Sequence, residues 1–303
     1  MTQRSPVRIH TREQLLKQSG LDPFLAEFVS GIADEATRLI SLDLQEGVDQ
    51  LVVASQDGDG VVTLIPSPCF HGTPREHRQS LWEASIHWAK SQGARAVDIY
   101  GPAGERERDI LAELGFPITT SILPMGRETL EGYVPDDQPD IAIRQAFVES
   151  DHSQLCDLIA RTLTQSLDLP ESIPLRRPQG LLQSWIENRA HEETVILVAE
   201  TDREAAGIVV ATREQRDDEP AGYCIHYLGV AEHHRRKGWA TRLLKALFQL
   251  ASERQIERFA TNVDERNHPA IQLYQGMGFR VFEELRYPIV FQRLDEHPHY
   301  TQS

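Results

Sequence analysis

The stretch Tyr223-Cys224-Ile225-His226-Tyr227-Leu228-Gly229-Val230 leads to His233-His234-Arg235-Arg236-Lys237-Gly238-Trp239-Ala240, which opens the amphipathic run Thr241-Arg242-Leu243-Leu244-Lys245-Ala246-Leu247. A strand-like run, a glycine turn and a helix start, in that order, aim backbone N–H groups at one point. The helix dipole favours an anion there, a pyrophosphate for example. Gly238 lets the backbone approach that anion without a Cβ in the way. Arg235, Arg236 and Lys237 add positive charge to the same turn.

Arg235-x-x-Gly238-x-Ala240 resembles the acyl-CoA pyrophosphate loop of the GNAT N-acetyltransferase superfamily, where Gln/Arg-x-x-Gly-x-Gly/Ala follows a strand. Alone, so short a motif also suits an α/β domain in which a Gly turn merely joins strand to helix. The residues downstream extend the match. A second apolar run, Phe259-Ala260-Thr261-Asn262-Val263, is followed by Asn267, by Pro269-Ala270-Ile271-Gln272-Leu273-Tyr274 and by Gly278-Phe279. The family shows a strand, an Asn, an Ala-x-x-Leu-Tyr helix and a Gly-Phe in that order, so the resemblance runs from Asp140 to Arg293. It implies acetyl-CoA as acyl donor, bound by Arg235, Arg236, Lys237, Gly238, Trp239 and Ala240, and an amine as acceptor.

With 303 residues the chain is long enough for two domains, each with its own core. Its 31 basic and 46 acidic residues give a formal charge of −15, which argues against nucleic acid or an anionic membrane surface as a partner. A cationic amine is compatible with that charge, as is plain solubility. The three cysteines, Cys69, Cys156 and Cys224, suit a reducing compartment without a disulfide framework. Cys69 and Cys224 lie in apolar runs and read as packing thiols. No apolar run reaches membrane-spanning length and the first residues hold no signal core, so a cytoplasmic protein is expected. The sequence leaves the oligomeric state open.

The two halves resemble one another. Leu114-Gly115-Phe116 and Met277-Gly278-Phe279 lie 163 positions apart, and an ungapped overlay at that offset sets Val61–Phe70 on Cys224–His233 and Ala96–Tyr100 on Phe259–Val263. Arg75 then stands opposite Gly238 and Leu111 opposite Tyr274, so the first half lacks both the phosphate turn and the phenol. Pro, Gly and Asp cluster over Glu131–Asp140. The expected division is a degenerate GNAT-like domain over 1–135 and an acetyl-CoA-binding catalytic domain over 136–303. The expected fold class is α/β of the α+β type, two tandem GNAT-like domains, each a mixed, mainly antiparallel sheet flanked by helices. In the second domain, Ile141–Arg144 reads as the opening strand, Asp151–Gln154 as a helix start, and Val195–Ala199 with Gly207–Ala211 as a hairpin. The Pro-containing region from Leu163 to Gln179 reads as an irregular loop. In the family the corresponding loop lines the acceptor site.

The resemblance assigns the remaining chemistry. Main-chain groups of Leu228 to Val230 would hold pantetheine like an added strand and supply the oxyanion donor. Tyr274 falls on the position whose phenol faces the CoA sulfur and would protonate the departing thiolate. Its plain reading is a helix residue with its hydroxyl in water. Asn267 either bonds pantetheine or serves the helix entry. His226 is the candidate general base, with Glu232 as a competitor, although a histidine on an apolar strand is often just a satisfied core residue. Alternation sets Cys224, His226 and Leu228 on one face of the strand and Tyr223, Ile225 and Tyr227 on the other. His233 and His234 read as solvent-facing or near phosphate, and Trp239 either packs under the helix or leans toward adenine. The histidines of Glu296–Tyr300 lack a ligand cluster, and no metal is expected. The function expected is acetyl transfer to a primary amine by direct attack in a ternary complex. An acyl-CoA-responsive binding protein is the alternative, and a partner-binding scaffold a third.

Overall fold

The computed structural model describes residues 7–17, 38–44, 47–67, 74–101, 104–130, 142–187, 193–202, 204–215 and 220–294. Two compact units divide the chain. One comprises Met1–Ser121 together with Tyr287–Ser303, the other Ile122–Arg286. These limits differ from the expected 135/136 division because each unit takes a strand from beyond it. A Pro- and Gly-rich stretch marks where periodicity stops, not where strand pairing changes. Glu131–Asp140, Cys69 and the tail histidines lie outside the described residues.

The first unit contains β1 (Val7–His10), α1 (Arg12–Leu16), β2 (Arg38–Leu44), β3 (Gly47–Gln56), β4 (Val61–Pro66), α2 (Arg75–Ser91), β5 (Ala96–Tyr100) and α3 (Gly104–Glu113). Its strands stand in the order β1-β2-β3-β4-β5, with the C-terminal strand Tyr287–Arg293 antiparallel to β5. Among the described residues of this unit only β4 and β5 run parallel, Val61 beside Ala96 through Leu64 beside Ile99. Leu81, Trp82, Ile86 and Ala89 of α2 recur at helical spacing and pack on Val62, Leu64, Val97 and Ile99.

The second unit begins with β6 (Thr120–Arg127) and continues with β7 (Ile143–Gln145), α4 (Val148–Leu163), α5 (Pro178–Glu187), β8 (Thr194–Glu200), β9 (Ala205–Glu214) and β10 (Gly222–Val230). Then come α6 (Trp239–Glu253), β11 (Arg258–Asp264), α7 (His268–Gly276) and β12 (Arg280–Val281); the C-terminal strand of the first unit, Tyr287–Arg293, is β13. The strand order is β7-β8-β9-β10-β11-β6, with β12 on β6. Among the described residues of this unit only β10 and β11 run parallel. The helix expected at Asp151 starts earlier, at Val148, because the Asp151 carboxylate reaches back to accept the Phe147 N–H at 2.9 Å. On one face, Leu155, Leu158 and Ile159 of α4 and Leu182 of α5 cover Ile196, Ile208 and Val210. On the other, Leu243, Leu244, Leu247, Phe248 and Ala251 of α6 pack against Val209, Ala211, Tyr223 and Phe259. Phe248, Phe259, Phe279 and Tyr274 form an aromatic cluster with neighbouring centroids 4.6 to 6.5 Å apart, each such pair contributing about 0.5–1.5 kcal/mol beyond its buried area. Among the described residues no helix is long and apolar enough to cross a membrane.

Candidate active site

A single inserted residue shapes the site. Opposite β9, Ile225 pairs with Ala211 and Tyr227 with Val210, which leaves His226 as a bulge. The parallel pairing with β11 also ends there, at Ile225 beside Thr261. Beyond that point β10 continues to Val230 and β11 to Asp264, with no strand joining them among the described residues. The expected alternation is corrected by the same bulge. Tyr223 and Ile225 face the α6 side, Leu228 packs with them instead of with Cys224, and Tyr227 turns to the α4–α5 side. An extra residue resets a period of two.

The parting strands open a cleft of about 390 Å³ lined by His226 through Val230, by Thr261, Asn262 and Val263, and by Asp168, Asn267 and Tyr274. A second opening of about 480 Å³ continues between the first turn of α6 (Gly238 to Thr241) and α7 (Pro269 to Leu273). Val230, Arg235, Arg236, Pro269 and Ala270 border both.

The expected turn residues separate into two groups. Gly238 is the N-cap of α6 at φ 84°, in the left-handed region, and a Cβ built there would meet nothing within 4 Å. No side chain caps α6, so the N–H groups of its first turn face the opening. Trp239 and Ala240 start the helix and line that opening, and the Arg242 guanidinium lies 4.0 Å over the Trp239 ring. Arg236 is exposed and borders both cavities, with φ 61°. Lys237 is exposed and lines neither cavity. Arg235 borders the opening but commits its guanidinium to main-chain carbonyls. Its guanidinium donates to the carbonyls of Val230 (3.1 Å), Thr162 (3.1 Å), Thr164 (2.5 Å) and Gln165 (3.2 Å), bolting the end of β10 to the end of α4. The motif arginine is therefore structural through its side chain. The Thr162, Thr164 and Gln165 carbonyls lie at the C-terminal end of α4, where a helix leaves carbonyls without partners.

Tyr274 is buried, at 4% exposure, yet its ring lines the cleft, so its hydroxyl is not in bulk water. Burial pushes the phenol well above its ordinary range; a hydrogen bond with Thr261 opposes the shift, and the Asp168 carboxylate adds to it. The phenol is thus a proton donor across the physiological range. Thr261 itself donates to the Ile225 carbonyl at 3.1 Å. His226 is partly buried, with Nε2 2.7 Å from Thr212 Oγ1 and Nδ1 4.0 Å from Cys224 Sγ. When Nε2–H donates to Thr212, Nδ1 carries the basic lone pair. Asn267 is the N-cap of α7, its side-chain oxygen accepting the Ala270 N–H at 3.3 Å, and it also lines the cleft. Glu232 and His233 are exposed outside both cavities, while His234 lies 2.9 Å from the Glu204 carboxylate.

Asp168 is a site residue that the sequence reading missed. It sits in the irregular loop after α4, between Gln165 at φ 52° and Leu169 at φ 42°. The Asp264 carboxylate accepts the Leu169 N–H at 3.1 Å and Arg266 bridges Asp264 to Glu171. Asp168 is open to the cleft but ringed by protein. Desolvation raises its carboxyl above the usual range; the Asp264 backbone N–H and the Arg266 charge oppose this, and the Asp264 charge adds to it. One mouth of the cleft is therefore cationic, at Arg236 and the α6 N-terminus, and the other anionic, at Asp168. Tyr227, whose hydroxyl is 2.8 Å from Thr162 Oγ1 and whose ring stacks on Trp185 at 4.8 Å, closes the wall behind.

Residues 159–279 match the model of the acetyltransferase (GNAT) family. No curated protein matches the chain by sequence. Among solved structures, a GCN5-related N-acetyltransferase from Sphaerobacter thermophilus aligns with a TM-score of 0.62 at 15% identity, over 96% of this chain and 97% of that one. A tandem GNAT protein from the clavulanic acid biosynthesis pathway aligns with a TM-score of 0.59 at 13% identity, over 95% of this chain and 98% of its own. The glucosamine N-acetyltransferase region of a fungal multi-domain β-N-acetylglucosaminidase gives a TM-score of 0.62 at 13% identity, over 94% of this chain and 38% of that one. At these identities the likeness establishes a tandem GNAT fold. With the splayed strands, the uncapped α6 turn and the family match all in one unit, the C-terminal half of this chain carries a GNAT domain.

Proposed function

We propose that the C-terminal half transfers an acetyl group from acetyl-CoA to a primary amine by direct attack in a ternary complex. The observation that carries this reading is that the opening at the uncapped α6 turn and the cleft lined by Tyr274 and by the β11-side edge of Leu228 to Val230 share Val230, Arg235 and Arg236 as walls. The residues present fit the donor: the turn offers N–H groups and unobstructed space at Gly238, and the strand edge offers main-chain partners for an amide-bearing arm. Bound acetyl-CoA supplies an activated thioester carbonyl.

The chain's own residues do the rest. A main-chain N–H of Leu228 to Val230 that points to the open edge, away from β9, faces the developing oxyanion. The Asp168 carboxylate draws a cationic amine into the anionic mouth, and the proton that leaves the attacking nitrogen passes to His226, directly or through water. Tyr274 stabilises the charge that builds on sulfur as the C–S bond breaks, and its hydroxyl proton goes there.

Tyr274→Phe tests the assignment. General-acid catalysis is worth about 10²–10⁴-fold, so kcat for release of free thiol from acetyl-CoA should fall by that order while acetyl-CoA binding holds. Equal turnover in both forms would remove Tyr274 from the chemistry. Absence of turnover in the native chain across a panel of amines, with binding intact, would favour an acyl-CoA-responsive binding protein.

A further inference from the structure

Strands β9 and β10 hold, next to the cleft residue His226, a constellation that acetyl transfer does not require. Glu214 ends β9, Cys224 and His226 lie on β10, and a carboxylate oxygen, the thiol sulfur and a ring nitrogen all fall within 4.8 Å of one another. All three residues are partly buried, held by the sheet but reachable by an ion. Cys224 Sγ is 4.0 Å from His226 Nδ1, within about half an ångström of the ~3.5 Å between sulfur and nitrogen ligands on a tetrahedral ion with bonds of ~2.3 and ~2.0 Å. The other ring nitrogen, Nε2, lies 2.7 Å from the buried Thr212 hydroxyl. Such an outer hydrogen bond fixes the tautomer of a ligating histidine and leaves its second nitrogen aimed at the metal. Cys224 is not in a disulfide.

We propose that Glu214, Cys224 and His226 bind one divalent cation of the zinc class, with the fourth coordination position open to water. The donor set decides the class: a thiolate and an imidazole select zinc-like ions over magnesium or calcium. Occupancy engages His226 Nδ1. Resting on the acetyltransferase reading, the consequence is that the ion inhibits transfer by removing the proton acceptor. Binding itself does not rest on that reading. The site escapes sequence inspection because ten positions separate Glu214 from Cys224, and only the pairing of β9 with β10 closes the gap.

The test titrates the reduced, full-length chain with Co²⁺. The proposal expects a thiolate-to-cobalt charge-transfer band in the near ultraviolet that saturates at one equivalent and is displaced by Zn²⁺. Cys224→Ser should abolish the band, and Glu214→Gln should weaken it. Cys156→Ser should keep it, although Cys156 Sγ also lies near a histidine, 3.9 Å from His152 Nδ1. Thr212→Val, which keeps the side-chain shape, should weaken affinity about 10- to 100-fold if the outer hydrogen bond orients a ligand. No band, or a band that survives Cys224→Ser, overturns the site. A parallel acetyl-CoA titration separates the two readings: cobalt binding without acetyl-CoA binding keeps the metal site and discards the transferase, and the reverse discards the metal site alone.

Discussion

The two halves share a plan and part company where the second opens a cleft. In the first, β3 and β4 pair without interruption from Val52 beside Pro66 to Gln56 beside Val62. In the second, His226 bulges and β10 leaves β11. The 163-residue overlay sets Arg75 and Arg78 against Gly238 and Thr241, and Glu107 and Glu113 against Ala270 and Gly276. In the first half these four side chains make two ion pairs between α2 and α3, Arg78–Glu107 and Arg75–Glu113, each at 2.6 Å, and the former is buried. In the second half three of the small residues at the same places, Gly238, Thr241 and Ala270, line the opening between α6 and α7. Where one copy places a buried charge pair, the other lines an opening.

Breaking the closed copy should have the largest effect on stability. Glu107→Gln strands the Arg78 guanidinium in a buried site, a change that costs about 3–5 kcal/mol, whereas Arg78→Met with Glu107→Leu should be neutral or stabilising. Denaturant titration of both variants decides it. A single-variant cost below about 1 kcal/mol would show that the pair does not close the first half.

The open copy has its own close approach at Gly229, whose overlay partner is Pro66. A Cβ at Gly229 would lie 2.7 Å from the Tyr227 ring and 2.8 Å from Thr162 Cβ. Gly229→Ala should therefore cost about 1–3 kcal/mol through overpacking, read from the shift in denaturation midpoint. An unchanged midpoint would mean that α4 moves off β10 without penalty.

The smallest effect is alkaline. Tyr227 and Tyr274 stand where the first half has Leu64 and Leu111. Burial pushes the Tyr227 phenol up to about 12 and that of Tyr274 higher, against an ordinary value of ~10. Above that ordinary value the unfolded chain releases these protons while the folded chain keeps them. Stability is then full below pH ~10 and falls as pH rises toward the folded values. Tyr227→Phe should flatten part of that slope in alkaline melts, and an identical slope would assign the loss to other groups.

What could be read from the sequence follows a physical line. The strand Gly222–Val230, helix α6 and helix α7 were legible because burial imposes periods of 2 and 3.6, whereas Tyr274 was singled out only through the family resemblance. The bulge at His226 was not, since one inserted residue shows only in the pairing with β9. Nor was Asp168, which sits in a loop without periodicity and is placed by bonds to Asp264, 96 positions away. An arginine in a phosphate motif reads as charge for the ligand, yet Arg235 spends its donors on the carbonyls ending α4. The exchange of β6 and β13 moved the unit limits away from the Pro-rich stretch for the same reason: pairing across distant sequence leaves no local mark.

Calorimetric titration with acetyl-CoA, run on the native chain and on Gly238→Asp, tests the central claim most directly. The account predicts one site per chain, lost when a carboxylate stands at the α6 turn, and none in the half closed by its ion pairs. Two sites, or one site that survives Gly238→Asp, would contradict it.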